Sequence, residues 1–248
     1  MVRLSNEACS SLFPGARPLP GKPAVFFCYR HEGTKLRGAL LRGRNKGSPL
    51  TASVLLIRHA AHGDLGERLS GRGPAPGLTE TGRGQALAMA TMLRDEPIAA
   101  LHASPRARAL ETAAALADAA GLEFDTVAAL DEVDFGAWTG CRYEELDGQP
   151  DWDRWNAERA SARTPGGESM AEAADRALDH VRDTARSHPG QTVAMVSHCD
   201  VIRGVLARAM GLSLDKILNF DVDPASVSRL AVGDWGERVV SINERAAA

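Results

Sequence analysis

Two short runs of apolar residues constrain this chain more than anything else in it. Ser53-Val54-Leu55-Leu56-Ile57 and Thr192-Val193-Ala194-Met195-Val196 have strand length and almost no polar positions. A strand with one wet face would alternate, so these runs predict central strands buried on both faces. Amphipathic stretches lie between them. Residues 79–93 read as a helix, with Thr79 as N-cap and Ala86, Met89, Ala90 and Leu93 on one apolar stripe. Residues 98–103 form a further strand, and 106–119 a helix ended by Gly121. After Leu122-Glu123-Phe124 the chain becomes rich in turn residues and aromatics. Ser169-Met170-Ala171-Glu172 has capping-box spacing and opens a helix to about Ser187. Another helix, from about Val201 to Met210, follows the second run. The β-branched segments 226–232 and 238–242 flank Gly233-Asp234-Trp235-Gly236, which predicts a hairpin. The expected fold is α/β: three layers, with a mostly parallel central sheet and helices on both faces.

Charge separates the first fifty residues from the rest. Up to Leu50 there are nine Lys and Arg against Glu7 and Glu32, a balance of +7 in a chain whose formal net charge is -3. Five prolines and six glycines in the same stretch break any helical or strand period. Residues 1–50 are therefore expected to be a basic, disordered extension, and residues 51–248 a single folded domain. A basic leader has three readings: a transit-type targeting segment, an arm that touches nucleic acid, or a leader without function. The prolines argue against the first, and we take the last. Its one apolar run, Val25-Phe26-Phe27-Cys28-Tyr29, is too short for a signal-peptide core or a membrane span. The overall charge gives no field that would draw nucleic acid or an acidic membrane. Cys9, Cys28, Cys141 and Cys199 are scattered without a C-x-x-C pair, so a reducing cytoplasm is the expected location. Nothing in the sequence speaks to oligomeric state.

Both buried runs end in the same way, the first in Arg58-His59-Ala60 and the second in Ser197-His198-Cys199. Each puts a histidine at the carboxyl end of a central strand, where ligands bind in sheets of this kind. One such histidine would usually be structural. Two, one of them beside an arginine, point to a site. Ser104-Pro105-Arg106-Ala107-Arg108 follows the strand ending at Ala103 and opens a helix. Arginine there opposes the helix macrodipole, and a bound anion would offset that repulsion.

With these residues in view, the chain resembles the histidine phosphatase superfamily, also called phosphoglycerate-mutase-like. That family's R-H-G, preceded by a strand, is matched by Arg58-His59-Ala60 except at the glycine. Its S-x-x-x-R-A-x-x-T is matched by Ser104, Arg108, Ala109 and Thr112. Its L-x-E-x-x-F-G-x-W-x-G is matched by Leu130, Glu132, Phe135, Gly136, Trp138 and Gly140. G-G-E-S stands at residues 166–169, and S-H-G at Ser197-His198-Cys199, again without its glycine.

The resemblance implies a double displacement in which His59 becomes phosphorylated and water then hydrolyses it. Arg58, Arg108 and His198 would surround the phosphoryl oxygens with His59, and Glu132 would act as acid and then base. Cationic side chains supply the charge, so no metal and no cofactor is expected. The residues alone do not choose Glu132 over Asp131 or Asp134. Ala60 is a mild replacement if its φ is negative, and Cys199 reads as a small buried cysteine. His62 reads as an exposed loop histidine. Residues 68–77 and Trp152, Trp155, Arg159 and Arg163 could line the mouth of the site, the tryptophans fitting cap packing equally well.

The expected activity is hydrolysis of a phosphorylated small molecule. A phosphoprotein is a second substrate class and would need a shallow site. A cofactor-dependent phosphoglycerate-type mutase shares the core, but only residues 141–165 separate the acid motif from Gly166, whereas such mutases carry a longer insert. A phosphate-binding module that no longer catalyses would not need every catalytic residue type, and all are present. Deleting residues 1–49 is expected to leave thermal stability and turnover of p-nitrophenyl phosphate almost unchanged. An insoluble or inactive truncation would make the leader part of the domain.

Overall fold

The structure is a computed structural model that describes residues 51–74 and 76–246. The expected basic extension lies outside the described residues. Strand β1 (Ala52–Arg58) leads through helix α1 (Glu80–Met92) to β2 (Ile98–Ala103), then through α2 (Ala107–Ala120) to the short β3 (Asp125–Thr126). Two brief helices, α3 (Tyr143–Leu146) and α4 (Pro150–Ala157), precede the long α5 (Met170–Ser187). Strand β4 (Thr192–Ser197), helix α6 (Cys199–Met210) and the hairpin β5 (Val227–Gly233) to β6 (Gly236–Glu244) complete the domain.

One six-stranded sheet runs β3-β2-β4-β1-β5-β6. The pairs β3-β2, β2-β4 and β4-β1 are parallel, while β1-β5 and β5-β6 are antiparallel. The central strands divide their side chains between two cores, as the unbroken apolar runs require. Leu55, Ile57, Ala194 and Val196 pack with Met89 and Leu93 on the α1 side and Leu116 of α2. Val54, Leu56, Val193 and Met195 pack on the other face with Leu178 and Val181 of α5 and Val205 of α6. Helix ends fall where the sequence marks them. The Thr79 hydroxyl accepts from Gly82 N, Gly121 closes α2 in the left-handed region, and Ser169 and Glu172 cap each other.

Helix α6 starts at Cys199, two residues before the apolar pattern implies. Asp200 in its first turn suits the positive helix end, so polar residues extend the helix up to His198. No helix among the described residues is long and apolar enough to cross a membrane.

Register fixes the edge that carries the two histidines. Arg58 stands beside Ser197 in the β1-β4 pair, and His59 N donates to Ser197 O at 2.9 Å. The two histidines that follow these strands therefore emerge side by side. Ser104, which follows β2, is tied to the same edge by its N–H to Val196 O at 2.9 Å. Helix α1 is docked on the loop beyond His59 through Gly82, whose added Cβ would lie 1.9 Å from Ala61 O. Gly84, on the same helix, has open space around it.

Glycine to alanine in a helix ordinarily gains up to about 1 kcal/mol. Gly84→Ala should accordingly raise the melting temperature. Gly82→Ala should lower it, by the roughly 1–3 kcal/mol that overpacking costs, because backbone must move. Equal shifts of the same sign in thermal unfolding would contradict this docking.

Candidate active site

His59 is buried, and its two ring nitrogens have different partners. Nδ1 lies 2.9 Å from the Ala60 carbonyl oxygen, to which it donates. Nε2 accepts from Arg108 Nε at 3.1 Å. The proton is thus held on Nδ1, which leaves the Nε2 lone pair to accept from Arg108, and the residue lines the cleft. Burial, with the charges of Arg108 and Arg58 behind it, keeps the imidazole well below its ordinary pKa and therefore neutral.

Arg108, on the first turn of α2, joins the site together. Its Nη2 donates to Gly71 O at 3.0 Å and to His198 Nδ1 at 3.0 Å. The ring centroids of His59 and His198 are 5.1 Å apart. His198 Nε2 meets Ser104 Oγ at 2.7 Å, and Ser104 Oγ in turn reaches Asp131 Oδ1 over a longer 3.4 Å. Burial and Arg108 depress the pKa of His198 as they do that of His59. Arg58 donates from Nη1 to Val222 O at 2.7 Å. Its Nε is buried with no hydrogen-bond partner among the described residues, and a donor of this kind suits an anion.

Sequence alone left three acidic residues open, and the loop that carries them separates their positions. Leu130, Val133, Phe135 and Trp138 are buried anchors, and Gly136 bends the chain with φ +54°. Asp131 is committed to structure: its carboxylate accepts from Glu132 N at 2.8 Å and pairs with Arg106 at 2.8 Å. Asp134 binds Gly136 N and pairs loosely with Arg72. Only Glu132 reaches the cluster, with Oε2 3.6 Å from Arg108 Nη2 and 3.5 Å from His198 Nδ1. Burial raises its pKa to about 7 despite the opposing charge of Arg108, and the charge of Asp200 adds to the rise. The G-G-E-S segment supports this loop from behind. Glu168 pairs with Arg72 and Arg176, and both arginines donate to Glu132 O.

All five expected residues, Arg58, His59, Arg108, Glu132 and His198, come together at one cleft of about 290 Å³; four line it directly and His198 stands behind it. A larger hollow of about 710 Å³ between α5 and the β5-β6 turn holds none of them, so size does not pick the site.

His62 is a correction. It is 6% exposed rather than a loop histidine in water, and its ring lies 5.1 Å from that of His59. Burial lowers its pKa to about 4. The mouth residues divide. Trp152 and Arg159 line the cleft with Arg68, but Trp155 is fully buried against Phe135 and Trp138. Arg163 is away from the cleft, paired with Glu172.

Neither missing glycine disturbs the geometry. Ala60 is not among the described residues with positive φ, and its N–H donates to Thr112 Oγ1 at 3.0 Å. The Cys199 thiol is half-buried and donates to Val222 O; burial pushes it up to about 11, so it stays protonated. Sequence reasoning did not single out Tyr143, Asn156, Asp200, Arg203 or Leu218, all of which line the cleft.

The profile of the histidine phosphatase superfamily (branch 1) matches residues 54–245. Phosphoserine phosphatase 1 of Hydrogenobacter thermophilus is 31% identical over 170 residues, 68% of this chain and 81% of that one. A bifunctional protein of Mycobacterium tuberculosis is 35% identical over 187 residues, 74% of this chain; the chain spans only 50% of that relative's length. Among solved structures, the native mycobacterial glucosyl-3-phosphoglycerate phosphatase superposes with a TM-score of 0.70 at 24% identity. That likeness covers 78% of this chain and 99% of the other, and it shows the fold.

Proposed function

This chain belongs to the histidine phosphatase superfamily, and we propose that it is a phosphomonoester phosphatase whose nucleophile is His59. One observation carries the reading. The Nε2 lone pair of a neutral, buried histidine is bonded to Arg108, with a carboxyl of pKa about 7 on the same guanidinium. Nucleophile, charge and proton donor are thus within reach of one phosphoryl group.

In the reaction we infer, the phosphoryl oxygens lie among Arg58, Arg108 and His198, whose donors stabilise charge in the transition state. His59 Nε2 forms a bond to phosphorus as the ester P–O bond breaks. The electron pair leaves on the ester oxygen, which takes the Glu132 proton, and the alcohol departs. The Glu132 carboxylate then takes a proton from water as the water oxygen attacks phosphorus. The N–P bond breaks, its electron pair returns to Nε2, and inorganic phosphate leaves with Glu132 protonated again. His198 must offer Nδ1–H to a phosphoryl oxygen, although in the free site it accepts from Arg108. Ser104 permits the change, because a hydroxyl can either accept from Nε2 or donate to it.

We take the substrates to be phosphorylated small molecules, in keeping with the relative named for phosphoserine and with a cleft of about 290 Å³. We place the enzyme in the cytoplasm, which suits the free thiols of Cys141 and Cys199, and regard residues 1–50 as an extension outside the catalytic domain.

The role of Glu132 is checked through the leaving group. An alkoxide needs its proton during bond cleavage, whereas nitrophenolate leaves without one. Glu132→Gln should slow hydrolysis of an alkyl phosphate by roughly 10²–10⁴-fold and that of p-nitrophenyl phosphate far less. In wild type the acid must be protonated, so kcat/KM for the alkyl phosphate should fall as pH rises through about 7, and the variant should lose that limb. Equal losses on both substrates, or a larger differential for Asp131→Asn, would assign the acid elsewhere.

A further inference from the structure

Binding a phosphate dianion calls for no fixed negative charge, yet Asp200 puts one on the cleft wall two residues beyond His198. Its Oδ2 accepts from Arg159 Nη1 at 2.7 Å. Its Oδ1 has no hydrogen-bond donor among the described residues, and Arg203 Nη1 stands 4.0 Å away, beyond bonding distance. Burial alone would push this carboxyl up, but Arg159, Arg203 and Arg58 hold it below the usual range, so it is ionised.

The partner that fixes it is itself built in. The Arg159 side chain is 7% exposed, lies 5.3 Å over the Trp155 ring, and donates from Nη2 to Asn156 Oδ1 at 2.9 Å. Asn156 Nδ2 donates to Trp152 O at 2.9 Å. One carboxylate oxygen is therefore clamped by the 141–165 segment, while the residue lines the same cleft as His59 and Glu132. A charge there repels the dianion that the arginines attract. A hydrogen donor on the substrate, beside the ester oxygen, would reverse that cost.

We infer that Asp200 reads the leaving group, and that the enzyme acts on phosphomonoesters of polyols or amino alcohols whose free hydroxyl or ammonium donates to Asp200 Oδ1. This rests on the phosphatase reading, with the phosphoryl group at His59 and the alcohol directed toward α6. The insert between the acid motif and Gly166 thereby sets specificity without touching phosphate: it holds Asp200 in place through Arg159.

The test is a series of near-equal size: ethyl phosphate, 2-hydroxyethyl phosphate and 2-aminoethyl phosphate, with p-nitrophenyl phosphate alongside. Wild type should favour aminoethyl over ethyl phosphate by at least about tenfold in kcat/KM, chiefly through KM, with hydroxyethyl between them. Asp200→Asn should remove at least about tenfold of that advantage, and Asp200→Glu should keep part of it. Comparing each variant across the series cancels intrinsic leaving-group differences, and an effect through Glu132 would lower all three together.

Equal losses on the three substrates would make Asp200 only a latch for the insert and overturn the inference. So would a wild type without preference, which needs no variant at all. Thermal unfolding reports whether Asp200→Asn is folded; if it is not, the wild-type ranking and Asp200→Glu decide. A wild type inactive on p-nitrophenyl phosphate as well would fail the phosphatase reading itself. One active on it but indifferent across the series fails this inference alone.

Discussion

The site depends on one buried guanidinium. Arg108 is 2% exposed and bonds His59, His198 and Gly71 O, with Glu132 at 3.6 Å. A cation out of water is costly unless its hydrogen bonds are made and a counter-charge is near, and here both conditions hold. The same charge acts in one direction on all three neighbours, favouring the deprotonated form of each. Burial and this charge together hold both histidines neutral, whereas at Glu132 burial raises the pKa and the charge pulls it only part of the way back. The result is a neutral histidine, the proposed nucleophile, whose Nε2 lone pair is oriented by Arg108, and a proposed acid balanced near neutrality, the two states that the first step requires.

Everything behind Arg108 serves to place it. The β1-β4 register sets the two histidines side by side, and β2 delivers Ser104 and the start of α2 to the same edge. Asp131 links these parts, bonding Glu132 N and pairing with Arg106 while Ser104 reaches it from His198. Arg72 and Arg176 hold the Glu132 carbonyl from outside. The acid-motif loop is irregular, and it is held both by its buried anchors Leu130, Val133, Phe135 and Trp138 and by these polar contacts.

The sheet was legible because its central strands must be apolar on both faces, a demand visible residue by residue in Val54 to Ile57 and Val193 to Val196. Ends of α2 and α5 were legible because Gly121 and the Ser169-Glu172 pair do local work that needs no tertiary context. His59 and His198 could be read from their place after those strands. His62 could not, since a lone loop histidine has no periodic signal and its burial comes from how the loop folds back, beside His59 and bridged to Leu78. Choosing Glu132 over Asp131 from residues alone was equally beyond reach, because adjacent carboxylates differ only in loop geometry. The cap residues Asn156, Arg159 and Asp200 meet through a short helix with Pro150 at its start and a pair 41 positions apart in the chain, and no local pattern announces such a contact.

The central claim, a covalent phosphohistidine between two in-line displacements, has a direct stereochemical signature. Each displacement inverts phosphorus, so two together restore its configuration. Hydrolysis of a thiophosphate monoester made chiral with oxygen isotopes, carried out in water of the third isotope, reports the outcome in the product. The account predicts net retention. Net inversion would mean that water attacks the ester directly, and His59 would then not be the nucleophile.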